Sequence, residues 1–220
     1  DELNILTECA LFRGLRRAQI REMLPCLSAR QARSGAGILL RAGDRASSAG
    51  IILSGEAEVL QEDFWGNRNL LAAVGPGELF AEAFACAHAV SPVSVQCTTD
   101  GSVLYLNVRA VLLPLEKACA QHKTLSQNLI RVLAEKNMQL NEKAGFLSQR
   151  TTREKLLAYL SAQAAGPARQ LRIPFDRQQL ADYLSVNRSA MSAELSNMQH
   201  DGLLRTDRSC FTLCQPEDTP

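Results

Sequence analysis

The most constraining feature of this sequence is a pair of predicted helices within residues 176–204 that are separated by only three residues. Asp176 is suited to cap the first helix, and Asn187 is suited to cap the second. The second helix has apolar residues at i, i+4 and i+7, namely Met191, Leu195 and Met198. Two short helices with so tight a turn predict a helix-turn-helix.

The face of the second helix opposite its apolar stripe carries short side chains, namely Ser189, Ser192, Ala193, Ser196 and His200. Short side chains allow the backbone of a helix to enter the major groove of DNA. Arg188, at the start of this helix, could contact a guanine or a phosphate, and Gln178 could contact a phosphate. The predicted DNA-contacting residues are Arg177, Gln178, Asn187, Arg188, Ser189, Ser192, Ala193 and Ser196.

Short strands are predicted on both sides of the helix pair, over residues 171–174, 203–206 and 210–213. They predict a winged helix-turn-helix that binds double-stranded DNA. Residues 148–214 carry nine basic and six acidic residues, a mild bias toward DNA. Two alternatives remain: the helices belong to an ordinary core, or the domain has lost DNA binding. Glu194, at a position that is usually apolar, favours the latter.

The first half of the chain predicts helices over residues 4–32 and then an all-β unit. Apolar runs at 38–40, 51–53, 57–60, 70–74, 93–95 and 103–106 are strand candidates, with glycines at 43, 55, 66 and 77. Short strands at such spacing predict a sandwich or barrel. Phe64 and Trp65 lie at a predicted hairpin tip, where they either face a partner such as RNA polymerase or fold back onto the sheet.

A long helix is predicted over residues 125–147, with an apolar seam near 3.5-residue spacing: Leu125, Leu129, Val132 or Leu133, Leu140, Ala144 and Leu147. We interpret the seam as a homodimer contact, because palindromic DNA sites match a two-fold symmetric protein. The alternative is that the helix packs on its own β unit. The predicted domains are an effector domain (1–124), a dimerisation helix with hinge (125–148) and a DNA-binding domain (149–220).

Other classes of protein are not indicated. The three histidines lie in separate segments, no phosphate-binding glycine loop is present, and the seven cysteines show no metal-ligand spacing. We therefore expect no enzyme activity, no metal site and no cofactor. The sequence shows no signal peptide and no apolar run of membrane-spanning length, so we expect a cytoplasmic protein with no membrane contact.

The order of β-roll, long helix and winged helix-turn-helix resembles the Crp/Fnr family of bacterial transcription regulators. The matching segments are residues 41–44 (RAGD), 52–59 (ILSGEAEV), 75–82 (GPGELFAE), 142–147 (EKAGFL), 177–181 (RQQLA) and 187–189 (NRS). The resemblance implies an α+β protein with a jelly-roll-like N-terminal β-roll and flanking helices. It also implies a homodimeric, sequence-specific DNA-binding regulator that is controlled by a small-molecule effector.

Members of this family that bind cyclic AMP hold its phosphate with an arginine and its ribose with a glutamate. This chain keeps the glutamate as Glu82, between Ala81 and Ala83, but has no Lys or Arg between Arg68 and Arg109. A buried phosphodiester without a cation is strongly disfavoured, so we do not expect cyclic AMP to be the effector. Lys136 or Lys143 could supply the missing charge. The predicted effector pocket consists of Phe80, Ala81, Glu82, Ala83, Ser91, Pro92, Val93, Ser94, Asn137 and Asn141.

Two other effector chemistries of the family remain as alternatives. Cys86 and His88 form a Cys-x-His, the residue types that bind haem in the carbon-monoxide sensors, although several residues beyond the family position. A redox-sensing cysteine pair is the other alternative, without support from cysteine spacing. The recognition helix has Ser189 and Ala193 where members that read a TGTGA-type half-site carry Glu and Arg. The DNA half-site is therefore expected to differ from that sequence.

Overall fold

A computed structural model describes residues 2–66, 68–112, 120–164, 170–207 and 209–214 of the protein. The chain divides into two compact units, residues 1–137 and 138–220. This boundary falls inside one long helix, which therefore contributes residues to both units. The finer division into three domains at residues 124 and 148 stays a prediction.

The first unit begins with two short helices, α1 (Glu2–Glu8) and α2 (Arg17–Met23), which are joined through a 3-10 turn at Ala10–Phe12. The first strand, β1 (Arg30–Ser34), follows them. The prediction of helices up to residue 32 was therefore wrong at its end. The residues of β1 are polar and mostly exposed, and the strand is defined by antiparallel pairing with a strand some seventy residues later, Arg30 opposite Tyr105.

The β-roll consists of two four-stranded antiparallel sheets. Seven more strands complete it: β2 (Ile38–Leu40), β3 (Ala49–Ser54), β4 (Ala57–Glu62), β5 (Arg68–Val74), β6 (Leu79–Phe80), β7 (Ser94–Cys97) and β8 (Gly101–Leu106). Helix α3 (Glu82–Ala87) lies between β6 and β7, and α4 (Arg109–Leu112) follows β8. The strand orders are β1-β8-β3-β6 and β2-β7-β4-β5. The predicted β-roll is confirmed.

Alternating side chains of β3 and β8 separate two cores. Ile52 and Val103 face the second sheet, whereas Ile51 and Leu104 face the helices, as the two-residue period of a strand requires. Between the sheets the ring of Phe80 packs directly on Gly50, where an added Cβ would lie 2.1 Å from the ring Cζ. Only glycine therefore fits at position 50.

Helix α5 (Ala120–Leu147) has a buried apolar face and an exposed face of mixed composition. Leu125, Leu129 and Val132, which were predicted to lie in the dimer seam, are buried within the first unit, and Leu125 and Leu129 belong to its helix-covered core. For this half of the helix the alternative interpretation, packing on its own β unit, is correct. The opposite face is exposed and carries Ile130, Ala134, Asn137, Asn141 and Ala144, which we call the α5 stripe.

The second unit contains α6 (Thr152–Gln163), β9 (Gln170–Arg172), α7 (Arg177–Tyr183), α8 (Arg188–His200), β10 (Leu204–Asp207) and β11 (Cys210–Leu213). Its three strands form an antiparallel sheet in the order β10-β11-β9. Helices α7 and α8 are the predicted pair, and β10 and β11 are the predicted wing. Leu180, Met191 and Met198 are fully buried, which confirms the predicted inward face of the helix pair.

Candidate functional site

The helix-turn-helix is fixed at both helix starts by side-chain caps. The Asp176 carboxylate accepts from the Gln179 amide N–H at 2.8 Å, and the Gln179 side chain accepts from the Asp176 N–H in return. Asn187 Oδ1 accepts from the N–H groups of Ser189 and Ala190. Asn187 therefore serves α8 as its cap, and its amide oxygen is engaged there.

The exposed face of α8 carries most of the predicted DNA-contacting residues. Arg188, Ser189, Ser192, Ala193 and Ser196 are all exposed, and they lie opposite the buried stripe. Gln178 is exposed on α7, where its Nε2 donates to the Asp182 carboxylate at 2.8 Å. The arrangement presents one cation and several short polar side chains over about two helical turns, which suits entry into a groove.

Arg177 differs from the rest of the predicted set because it is half-buried. Its Nη2 donates to Thr206 Oγ1 at 2.6 Å, and its guanidinium lies 4.9 Å from the centre of the Phe211 ring. Burial lowers the pKa of this guanidinium. Its Nη1 is buried and has no hydrogen-bond partner among the described residues. Arg177 thus ties α7 to the wing, a role that the sequence did not indicate.

Helix α6 supplies two further cations that hold the helix pair. Arg153 Nε lies 2.5 Å from the Glu194 carboxylate, and Arg153 Nη2 lies 2.8 Å from the Asp201 carboxylate. Lys155 Nζ donates to the carbonyl of Leu184, at the end of α7. Sequence analysis missed both contacts. The Arg153–Glu194 contact could have been predicted from Glu194, because a carboxylate at the edge of a buried face needs a cationic partner.

In the effector region, Glu82 is already paired. Its carboxylate lies 2.9 Å from Lys136 Nζ, with side-chain exposures of 4% for Glu82 and 39% for Lys136. Lys136 Nζ also donates to the carbonyl of Leu79. Lys143, the other cation considered, lies in the second unit, where its Nζ is 3.9 Å from the centre of the Tyr183 ring. Burial lowers the pKa of Lys143 to about 8.

The remaining predicted pocket residues are mostly engaged by the protein itself. Phe80 and Val93 are buried, and Ser91 Oγ donates to the carbonyl of Val93 at 2.7 Å. Ser94 Oγ accepts from the N–H of Ala42. Ala81 has a φ of 59°, a left-handed conformation that glycine adopts more readily than alanine. Ala83 and Pro92 are exposed, as are Asn137 and Asn141 on α5.

Two cysteines of the first unit, Cys9 and Cys86, are poor candidates for a redox or haem sensor. Burial raises the pKa of Cys9 to about 11, and burial together with the Glu82 charge raises the pKa of Cys86. Both thiols therefore resist forming the thiolate that reacts with oxidants or metals. Within the described ranges no three His, Cys, Asp or Glu residues are grouped to hold a metal ion. No helix there is long and apolar enough to cross a membrane.

Comparison with sequence families gives two matches, which together span most of the chain. Residues 33–116 match the cyclic nucleotide-binding domain, and residues 154–218 match the Crp-like helix-turn-helix domain. The chain belongs to the Crp/Fnr family. It is therefore a transcription regulator with a helix-turn-helix DNA-binding domain, as the family is one of regulators. A search of curated proteins gives no significant match to the sequence.

Solved Crp/Fnr structures share the fold at low sequence identity. A CooA variant from Carboxydothermus hydrogenoformans is 19% identical, with a TM-score of 0.69 over 88% of this chain and 87% of that one. FixK2 from Bradyrhizobium japonicum is 17% identical, with a TM-score of 0.60 over 86% and 94%. A CRP-family transcriptional regulator from Thermus thermophilus is 19% identical, with a TM-score of 0.57 over 84% and 92%.

Proposed function

We propose that this protein is a homodimeric Crp/Fnr regulator that binds double-stranded DNA sequence-specifically through α8 and that does not respond to cyclic AMP. The observation that carries DNA binding is the exposed face of α8, on which Arg188 stands beside short polar side chains. Glu194, which favoured a domain without DNA binding, has its charge matched by Arg153. Ser189 and Ala193 support a DNA half-site different from the TGTGA type.

The homodimer is supported by the α5 stripe. Its members, Ile130, Ala134, Asn137, Asn141 and Ala144, recur at alternating spacings of four and three residues, which is the repeat of a two-helix seam. Ile130 is 62% exposed, and the neighbouring Met138 is 71% exposed. Three of the five members of the stripe are apolar, and exposed apolar side chains along a regular seam are better buried against a second copy of the same helix. The proposed contact differs from the seam predicted from sequence in its first half, where Leu125, Leu129 and Val132 are buried in the first unit, whereas Leu140 and Ala144 of that seam are exposed and Ala144 belongs to the α5 stripe.

The exclusion of cyclic AMP is supported by the Glu82–Lys136 pair. Lys136 is one of the two cations that sequence analysis offered for the missing phosphate-binding charge, and its Nζ is held by the Glu82 carboxylate and the Leu79 carbonyl. A nucleotide phosphate would have to displace Glu82 from Lys136, which would leave a buried carboxylate unpaired. We therefore propose an effector of another class, weakly polar or apolar, at the predicted pocket.

The hairpin tip between β4 and β5 is a candidate contact for RNA polymerase. Phe64 and Trp65 are both exposed and stack edge-to-face with a centroid distance of 5.9 Å. Of the two alternatives left by the sequence, folding back onto the sheet is therefore wrong. Two exposed aromatic side chains at a loop tip are suited to protein contact, although their partner stays a proposal.

DNA binding is tested first with a mixed-sequence duplex and then with a duplex selected from random DNA by the native protein. We expect weak binding to the former with a steep salt dependence, because phosphate contacts release counterions. Arg188→Ala should weaken binding to the selected duplex by about 1–3 kcal/mol and relax one base position if Arg188 reads a base. If it contacts phosphate only, the loss should be even across sequences, with a smaller salt slope.

The control for this measurement is Arg33→Ala, which removes an exposed cation from β1 in the first unit. This variant should bind like the native protein. Native protein that shows no affinity for either duplex at low salt would make the chain a ligand-binding module without DNA binding. Native-strength binding by Arg188→Ala would exclude both roles of that residue.

Cyclic AMP should give no heat of binding at micromolar concentrations in calorimetry and should leave the DNA affinity unchanged. The physical reason is that the pocket segment provides a buried carboxylate already bound to Lys136 and contains no Lys or Arg of its own. A family member that binds cyclic AMP serves as the positive control. Micromolar binding to the native chain would show that Lys136 can exchange Glu82 for the phosphate.

A further inference from the structure

The helix-turn-helix is held by a helix that does not belong to it. Helix α6 precedes α7 and α8 in the chain, and cations from its first turns contact each of them. Lys155 Nζ lies 3.2 Å from the carbonyl of Leu184, which ends α7 at the turn. Arg153 contacts Glu194 and Asp201, which belong to α8 and to its C-terminal cap. Side chains outside the helix pair therefore contact both of its helices.

Arg153 binds two carboxylates of one helix at once. Glu194 and Asp201 are seven residues apart, which is close to two turns, so their side chains emerge on the same side of α8. The guanidinium uses separate nitrogens for them, Nε for Glu194 and Nη2 for Asp201. These hydrogen bonds raise the pKa of Arg153, which stays charged. One cation thus links two turns of α8 to α6, beside the buried stripe of Met191, Leu195 and Met198.

The same contact controls the charge that α8 presents. Glu194 follows Ala193 directly, and one residue is about 100° of helical rotation, so its carboxylate leaves α8 at the edge of the buried face, beside the exposed Ala190 and Asn197. A helix that enters the major groove has its flanks near the two phosphate strands. A free carboxylate on such a flank would be repelled by phosphates, whereas a carboxylate bound to Arg153 is neutralised and turned toward α6.

We propose that Arg153 is a positioning residue for DNA binding, which holds the Glu194 and Asp201 carboxylates against α6 so that α8 can approach the phosphate backbone. This inference rests on the proposed DNA-binding function. Arg153 itself need not touch DNA. Its effect is exerted through Glu194, so removal of Glu194 should make Arg153 dispensable for binding.

The test compares Arg153→Met with the double variant Arg153→Met/Glu194→Met. Binding to a mixed-sequence duplex at low salt is measured by fluorescence anisotropy, and thermal unfolding is followed in parallel. We expect the single variant to bind about tenfold more weakly than the native protein, and the double variant to return to within about threefold of it. Arg33→Met, which removes an exposed cation from β1, is the charge-matched control and should bind like the native protein.

Each other result overturns the inference in a distinct way. If Arg153→Met binds DNA as strongly as Arg33→Met, the contact of Arg153 with Glu194 and Asp201 has no role in DNA binding. A double variant as weak as the single one assigns Arg153 to structure or direct DNA contact rather than to control of Glu194. Unfolding of both variants assigns it to stability alone. A native protein that fails to bind DNA overturns the proposed function and, with it, this inference.

Discussion

Lys136→Met is expected to lower the free energy of unfolding of the first unit by about 2–3 kcal/mol, because it leaves the Glu82 carboxylate buried without a cation. Glu82 is 4% exposed, and its second oxygen, Oε2, has no hydrogen-bond partner among the described residues, so water cannot readily replace the lost ammonium. The loss is smaller than for a fully buried pair, since Lys136 is 39% exposed and its contribution is reduced by solvent screening. Urea-induced unfolding of the native and variant proteins measures the difference.

Two further variants separate the ion pair from the loss of a side chain. Lys136→Met/Glu82→Met removes both charges and should recover most of the lost stability. Glu82→Gln should cost less than Lys136→Met, because the partly exposed ammonium can turn to water whereas the carboxylate cannot. Arg131→Met removes an exposed cation from the same helix and should have little effect. A Lys136→Met variant as stable as Arg131→Met would contradict the role assigned to the pair.

Ile130→Glu and Met138→Glu are expected to convert the proposed homodimer to monomers. Ile130 is a member of the α5 stripe and Met138 borders it, so in a two-fold symmetric seam each substitution brings two like charges together at the contact, where burial of unpaired charge costs several kcal/mol. A loss of about 3 kcal/mol weakens dimerisation by more than a hundredfold. Sedimentation at micromolar concentration should show monomers, whereas thermal unfolding of each unit should change little because both positions are exposed.

The choice of variant matters here, because the seam predicted from sequence pointed to Leu129. That side chain is fully buried in the core of the first unit, so Leu129→Glu would unfold the β-roll and report nothing about dimerisation. Gln139→Glu is the matched control, since Gln139 is exposed and lies half a turn away from Ile130 around the helix. A dimer that persists in Ile130→Glu, or a native protein that sediments as a monomer, would refute the proposed interface.

The helix-turn-helix could be predicted closely from sequence because its signals are local. Asp176 and Asn187 cap α7 and α8 as predicted, and Met191, Leu195 and Met198 are buried as predicted. A cap and an apolar stripe each depend on residues within a few positions of one another, so the sequence alone contains them. The same holds for α6 and for the two strands of the wing.

Strands without a local signal were missed. β1 is polar, and β6 has only two residues, so neither shows alternation of apolar and polar residues. Both are strands because a distant partner completes their hydrogen bonds, Ala32 opposite Val103 and Phe80 opposite Gly50. Such pairing depends on the partner strand in the assembled sheet, and the few residues of β1 or β6 do not specify it by themselves.

Sequence by itself thus determined the kind of protein, through the order of β-roll, long helix and winged helix-turn-helix and through the arginine missing near Glu82. Tertiary structure decided which charges meet. Lys136 is bound to Glu82 fifty-four positions earlier in the chain, and Arg153 to Glu194 forty-one positions later. It also decided which apolar face of α5 points inward, because Leu129 and Ile130 are adjacent and equally apolar in sequence. Periodicity gives the spacing of a stripe, whereas only the packing of the chain gives the surface that the stripe covers.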